Sequence, residues 1–260
     1  MLSGLVTAFR TLTILPVPGR ETSEQATALP FFPLVGCVLG LLLWGVSLGN
    51  RLLSGNGWPG GIAILMLLTS CALTRGLHLD GLADFTDALG GGWDRQRRLA
   101  IMKDSQLGVF GAVALILVLL CKWVAFTRLI AAGSEAWLVL ILTISRAMQV
   151  DLAVRLPYAR AEGGTAGPFV RGAAGRHLFA SVSITLLLAV GAYGPAGLGA
   201  FLIAISLSWL FGGWCRSRVG GVTGDLLGAA NELEETLLLL LVAASSPRIM
   251  AFTGWGWITY

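Results

Sequence analysis

Six largely apolar stretches follow one another along this chain, at residues 34–53, 58–79, 107–126, 136–156, 178–193 and 196–214. A helix crossing the roughly 30 Å hydrocarbon layer of a bilayer needs about 20 such residues. In lipid, only helices and closed barrels satisfy every backbone hydrogen bond. Runs of this length without period-two alternation therefore specify an all-α, polytopic membrane helix bundle. The composition agrees. The chain of 260 residues is 55% hydrophobic and 12% charged, with a mean hydropathy of +0.79. A soluble chain averages about 25% charged residues. The net charge of +4 does not indicate a nucleic-acid binder, because the basic residues sit in short segments between apolar runs.

A seventh stretch, 225–244, is less clean. Its purely apolar part, 237–244, rises only about 12 Å as a helix. A crossing there has to carry Asn231, Glu232, Glu234 and Glu235 into the bilayer, where ionisable groups face polar cavities and are functional candidates. The alternative is a re-entrant or interfacial helix whose acids face water, and for Glu234 and Glu235 the two readings are evenly matched. Tyr193-Gly194-Pro195 reads as a tight turn between the fifth and sixth stretches. Residues 1–20 are interrupted by Arg10, end in Pro16-Val17-Pro18 and lack a small-residue cleavage site. They read as an interfacial amphipathic segment rather than a signal peptide. No linker or internal repeat divides residues 1–260, so a single integral-membrane domain of six or seven spans is expected.

Charge sets the orientation. With a cytoplasmic N-terminus, thirteen of the eighteen Lys and Arg residues fall in cytoplasmic segments and only Arg51 and Arg248 fall outside, with Lys122, Arg128 and Arg146 inside spans. This asymmetry follows the positive-inside rule and places the motif-bearing segments on the cytoplasmic side of the membrane. Trp255, Trp257 and Tyr260 suit an interfacial aromatic anchor at the C-terminus. Lys122 and Arg128 are expected to snorkel outward. Cys37, Cys71, Cys121 and Cys215 form no paired motif, and His78 and His177 are too few for a zinc or haem site.

Two acidic constellations carry the chemistry. In His78-Leu79-Asp80-Gly81-Leu82-Ala83-Asp84-Phe85-Thr86-Asp87, helical spacing puts Asp80, Asp84 and Asp87 within a sector of roughly 60°. Carboxylates that repel one another on one face suit Mg²⁺, which takes one or two of them together with water and substrate phosphate. A solvated acidic helix end is the plainer reading, but the neighbouring Leu79, Leu82, Ala83 and Phe85 offer it little solubility. The second constellation runs from Gly220-Gly221-Val222-Thr223-Gly224-Asp225 to Glu232. Glycines before a helix start can let backbone N–H groups approach an anion, although the spacing is not that of a Walker A loop. Arg146 lies mid-span with Asp151 five residues on, and reads equally as an anion ligand or an internal ion pair. The basic segments 95–103 and 155–176 either contact phosphates or only fix topology.

Together these motifs resemble the cobalamin synthase family, the adenosylcobinamide-GDP ribazoletransferases of late vitamin B12 synthesis. The resemblance rests on residues 9–18 (Phe9-Arg10-Thr11 to Pro18), 32–36, 77–84, 101–108 (Ile101-Met102-Lys103-Asp104-Ser105-Gln106-Leu107-Gly108) and 220–229, in order along nearly the whole chain. It departs from the usual pattern at Phe85, Thr86 and Ala88, where smaller residues are common. It implies that a ribose hydroxyl of α-ribazole, or of its 5′-phosphate, attacks the cobinamide-side phosphorus of adenosylcobinamide-GDP, and that GMP leaves. It implies Mg²⁺ held by Asp80, Asp84, Asp87 and Asp225, with one of these, Asp84 or Asp87 foremost, accepting the proton. Lys103, Arg146 and Arg160 are then expected on phosphate oxygens, and His78, Asp104, Thr223, Asn231 and Glu232 as further substrate contacts. The expected partners are the two substrates and membrane lipid, with a homo-oligomer or a complex of late-pathway enzymes left open. Two rivals remain: a CDP-alcohol phosphotransferase, whose later spaced aspartates are missing here, and a secondary transporter, which predicts inverted repeats and mid-membrane broken helices.

Overall fold

The structure is a computed structural model that describes residues 2–54, 58–161 and 163–245. Arg248, Trp255, Trp257 and Tyr260, used above for orientation and anchoring, lie outside the described residues. The elements are α1 (Leu2–Leu12), a 3-10 segment (Gln25–Phe31), α2 (Phe32–Ser54), α3 (Pro59–Thr74), α4 (Leu77–Gly91), α5 (Arg95–Ile101), α6 (Val109–Ala132), α7 (Trp137–Arg155), α8 (Gly167–Arg171), α9 (Gly175–Arg218) and α10 (Gly224–Ala244). Among the described residues, extended pairing is limited to one isolated bridge, Tyr158 with Val222. The protein is an all-α membrane bundle, as the apolar runs require.

Helix α7 is the axis of the bundle. It is buried over nearly its whole length, and α2, α9 and α10 pack around it. Its contact with α2 is backbone-close. A Cβ on Gly36 would lie 2.1 Å from the Leu142 carbonyl oxygen, and one on Gly40 2.5 Å from Val139 Cα. Small residues one turn apart drive helix association where lipid removes the hydrophobic driving force between helices. At the opposite pole, α6 turns Val113, Ile116, Leu117 and Leu120 outward, as a lipid-facing helix does.

Among the described residues, four helices are long and apolar enough to cross a membrane: Gln25–Leu53, Val109–Ala132, Trp137–Arg155 and Gly175–Arg218, with α3 and α4 adding a fifth span if taken as one bent crossing. This length-and-hydropathy count does not reach seven, for two reasons. The α9 helix is a single element on paper, but Gly194 breaks it with φ 58° and ψ −145°. Residue 177 sits beside residues 23–25, Tyr193 donates to the Ala136 carbonyl and Arg155 reaches Ser208, so the limbs before and after Gly194 run in opposite directions along α7. The Tyr193-Gly194-Pro195 turn is thus where the sequence places it. The α10 helix adds none to these because Glu232, Glu234 and Glu235 interrupt its apolar run.

The second expected span, 58–79, does not continue as one helix. Arg75 and Gly76 both adopt left-handed conformations, ending α3 at Thr74, and α4 departs at 88°. The α4 helix therefore turns sharply away from the direction of α3, as in a broken span or a re-entrant segment, with Asp80 exposed. The N-terminal helix α1 buries Val6, Ala8, Phe9 and Leu12, and its Arg10 pairs with Glu21.

Candidate active site

The α4 and α10 helices pack antiparallel: Gly81 abuts the backbone of Asp225, and His78 lies beside Gly228 and Asn231. A Cβ at Gly81 would stand 2.6 Å from the Asp225 carbonyl oxygen, so the absence of a side chain there sets how near the two acidic motifs come. Asp225 occupies the first turn of α10. Thr223 caps that helix by accepting from Leu226 N–H, and its hydroxyl donates to Asp225 Oδ2 at 3.1 Å. Arg160 donates to the same oxygen at 2.6 Å and to the Met102 carbonyl at 3.0 Å. One guanidinium thus ties the loop bearing Lys103 and Asp104 to the start of α10, while the buried Arg160 Nε–H has no partner among the described residues.

The glycines ahead of α10 serve a different purpose from the one expected. Gly220 and Gly221 have φ of 80° and 155°, and their N–H groups both donate to the Cys215 carbonyl rather than standing free for an anion. A Cβ on Gly221 would lie 2.1 Å from the Pro157 carbonyl oxygen. That approach allows Val222 N–H to donate to Pro157 and Ala159 N–H to donate to Val222. The glycine pair docks residues 157–159, and so delivers Arg160 to Asp225.

Asp84 faces this junction. Burial pushes its carboxyl up to about 7, with the charges of Asp225, Asp80 and Asp87 adding to the shift and Arg160 opposing it. Asp87 stands apart. Its two oxygens accept from Gly108 N–H at 2.7 Å and Gly111 N–H at 2.8 Å, so it caps α6 and fastens α4 to it. Among the described residues, no three His, Cys, Asp or Glu side chains come close enough to hold one ion. Two carboxylates with a substrate phosphate nevertheless satisfy a magnesium ion's preference. Asp80, Asp84 and Asp225, an acidic cluster facing one arginine, are the residues here that fit such a cation.

The remaining expected site residues fall into two groups. Lys103 and Asp104 are exposed in the loop after α5, with Asp104 accepting from Gln106 N–H. His78, Arg146, Thr223, Asn231 and Glu232 are all buried. His78 Nδ1 meets Asn231 Nδ2 at 3.3 Å, while His78 Nε2 and Asn231 Oδ1 have no partner among the described residues. Arg146 is ion-paired with Glu235, and Glu232 with Lys122. Lys122 does not snorkel outward. It is 5% exposed and bridges Glu232 at 2.6 Å and Glu235 at 2.7 Å, giving a closed network of two cations and two anions between α6, α7 and α10. Lys122 is thus an interior residue where snorkelling is expected, and Glu235 follows the interior one of its two readings. The available signal was that the acids at 232 and 235 share a helix face and need cations at their own depth.

Asp84 also makes a stability prediction. Its folded pKa lies above the ordinary value of 3.8, so its stabilising proton is fully held below about pH 4 and lost as pH rises through about 7. Without divalent cation, Asp84→Asn is therefore expected to melt a few degrees above the parent at pH 8 and level with it near pH 4. Melting curves in detergent at the two pH values check this.

The sequence model described as cobalamin-5-phosphate synthase matches residues 4–243. The chain belongs to that family. It is 46% identical over 241 residues to a protein of Chlorobium phaeobacteroides, an alignment covering 91% of this chain and 96% of the relative. It is 47% identical over 253 residues to one of Chlorobaculum tepidum (94% and 96%), and 42% identical over 243 residues to one of Syntrophobacter fumaroxidans (92% and 97%). Each of these relatives is named adenosylcobinamide-GDP ribazoletransferase. No solved structure matches the chain. Both acidic motifs lie within the matched segment.

Proposed function

We infer that this protein is an adenosylcobinamide-GDP ribazoletransferase, joining the adenosylcobinamide phosphate group to α-ribazole or α-ribazole 5′-phosphate and releasing GMP. The observation that carries the site assignment is the junction of the two acidic motifs, where Gly81 seats against Asp225 and Arg160 clamps it. In the reaction a ribose hydroxyl oxygen forms a bond to the cobinamide-side phosphorus. The bond from that phosphorus to the bridging oxygen breaks, GMP takes the electron pair, and the hydroxyl proton passes to a base. Phosphoryl transfer of this kind rests mainly on positioning and on neutralising developing charge.

Asp84 is the base that fits best, because it faces the junction between Asp80 and Asp225 where the phosphates would be held. Asp225 and Asp80 are the residues that would hold Mg²⁺, with Asp84 beside them. When bound, the cation neutralises charge on the pyrophosphate oxygens. Arg160 fixes Asp225 and has its Nε–H left for a phosphate oxygen, and the exposed Lys103 directly follows Met102, whose carbonyl Arg160 holds. Asp87 anchors α4. His78, Asn231, Thr223, Glu232 and Arg146 act from behind, by fixing α10 against α4, α6 and α7.

The thirteen-to-two distribution of basic residues supports a bacterial inner-membrane protein with this site toward the cytoplasm. Purified enzyme given adenosylcobinamide-GDP and α-ribazole 5′-phosphate should release GMP with Mg²⁺ and stop when the metal is chelated. GMP release undiminished by chelation would overturn the metal assignment, and no release under any divalent cation would overturn the function.

A further inference from the structure

Behind the aspartates, four buried polar atoms have no partner among the described residues: His78 Nε2, Asn231 Oδ1, Gln149 Oε1 and Arg146 Nε. Their side chains are no more than 3% exposed. Three helices bring them together. Between α7 and α10, Gln149 Nε2 donates to the Leu227 carbonyl at 3.2 Å, and Arg146 is ion-paired with Glu235. Residues 227, 231 and 235 are successive turns on one face of α10, so Asn231 lies midway between the two α7 side chains. From α4, His78 Nδ1 meets Asn231 Nδ2 at 3.3 Å, with the His78 backbone against Gly228. Arg146 is also the foremost charge acting on the His78 ring.

The chemistry of the four atoms restricts what fits between them. An amide N–H directed at Nδ1 makes that nitrogen the acceptor, so the neutral ring carries its proton on Nε2. Arg146 Nε–H is a second donor, and the two amide oxygens are acceptors. A metal or ammonium cation is disfavoured by the donors, and an anion by the acceptors. Water matches the set, because it accepts two hydrogen bonds and donates two. Buried polar groups that do not meet directly are commonly joined this way, and leaving them unmet is costly.

We propose that ordered water occupies this junction, accepting from His78 Nε2–H and Arg146 Nε–H and donating to Asn231 Oδ1 and Gln149 Oε1, and that His78 is a positioning residue for the aspartates. His78 stands three residues before Gly81 on α4, and Asn231 six after Asp225 on α10. The water therefore locks the two acidic helices close to the point where Gly81 meets the Asp225 carbonyl, and ties both to the buried axis α7.

Spectroscopy tests the water directly. The chain has only two histidines, so ¹⁵N-histidine labelling of the protein in lipid bilayers gives two imidazole spectra. The spectrum lost in His78→Gln, or kept in His177→Asn, is that of residue 78. In the parent it should be a neutral ring protonated at Nε2, with magnetisation passing through space from water to that proton. Gln149→Leu, which removes an acceptor, should weaken the transfer. A ring protonated at Nδ1, a cationic ring, or an Nε2 proton that receives nothing from water overturns the proposal, and these parent spectra need no variant to fold beyond the one that assigns them.

Turnover separates the water bridge from simple packing. His78→Phe keeps a ring without a donor, whereas His78→Gln keeps an N–H at the end of the side chain and gives up the ring. The Phe variant should lose about tenfold or more in kcat for GMP release with KM little changed, as a small misplacement remote from the chemistry does. The Gln variant should keep most of kcat. Turnover by His78→Phe equal to or above that of His78→Gln would leave His78 a packing role and overturn the positioning role. This arm rests on the ribazoletransferase reading. A parent that releases no GMP sinks that reading, while the spectra still decide the water.

Discussion

Asp225→Asn is expected to lower GMP release by at least about 10²–10³-fold, the scale of losing one electrostatic contributor to a transition state. The substitution keeps the shape of the side chain and leaves the Thr223 cap on Leu226 N–H intact, so α10 should still start where it does. What it removes is one full negative charge at the point where α4 and α10 meet. Arg160 loses its ionic partner there and keeps only the Met102 carbonyl among its other hydrogen bonds. Asp84→Asn and Asp80→Asn should fall comparably, Asp84 through the lost base as well as the lost charge. Asp87→Asn is different in kind. An asparagine oxygen can still accept from one of Gly108 and Gly111 N–H but not from both in the same way, so its loss should appear first in thermal stability. Initial rates of GMP release, compared at equal amounts of monodisperse protein in the membrane fraction, separate these cases. Near-parental rates in the Asp80, Asp84 and Asp225 variants together would exclude the proposed site.

Much of this arrangement is legible in the sequence, and the limits are physical. Runs of apolar residues specify crossings because the bilayer imposes their length, and Tyr193-Gly194-Pro195 marks a reversal because few other sequences allow it. The break at Arg75-Gly76 is different. It falls inside an apolar run, and only the packing of α4 along α10 explains why an arginine adopts φ 55° there. The three aspartates are correctly placed on one face by helical periodicity, yet periodicity is silent about what lies opposite. The partner groups come from residues 108 and 111 for Asp87, and from residue 160 for Asp225. The Gly220-Gly221 pair shows the same limit. Its positive φ values are foreseeable, but whether a glycine makes room for an anion or for the Pro157 carbonyl depends on a strand-like contact more than 60 residues away in the chain.

Lys122→Met is expected to be the most destabilising single substitution in the spanning region, at about 3–5 kcal/mol, the cost of leaving a buried charge unpaired. Lys122 is the cation of Glu232 and shares Glu235 with Arg146. Truncating it leaves two carboxylates with one guanidinium between α6, α7 and α10, away from water. The network as a whole need not be favourable, because desolvating four charges offsets much of their attraction. That distinction makes the experiment informative. Adding Glu232→Gln to Lys122→Met restores the balance of Arg146 against Glu235 and should recover much of the lost stability. Glu232→Gln alone leaves Lys122 paired with Glu235 and should cost less than Lys122→Met. A double-mutant cycle on melting in detergent measures the coupling, which should be well above 1 kcal/mol for groups 2.6 Å apart. The same variants test how the interior supports the site. Asn231 reaches His78 from one residue before Glu232, so the charge network fixes the rotation of α10 against α4. If that is its role, the double variant should regain folding yet retain a lowered kcat, because α10 would no longer be pinned where Asp225 meets Gly81.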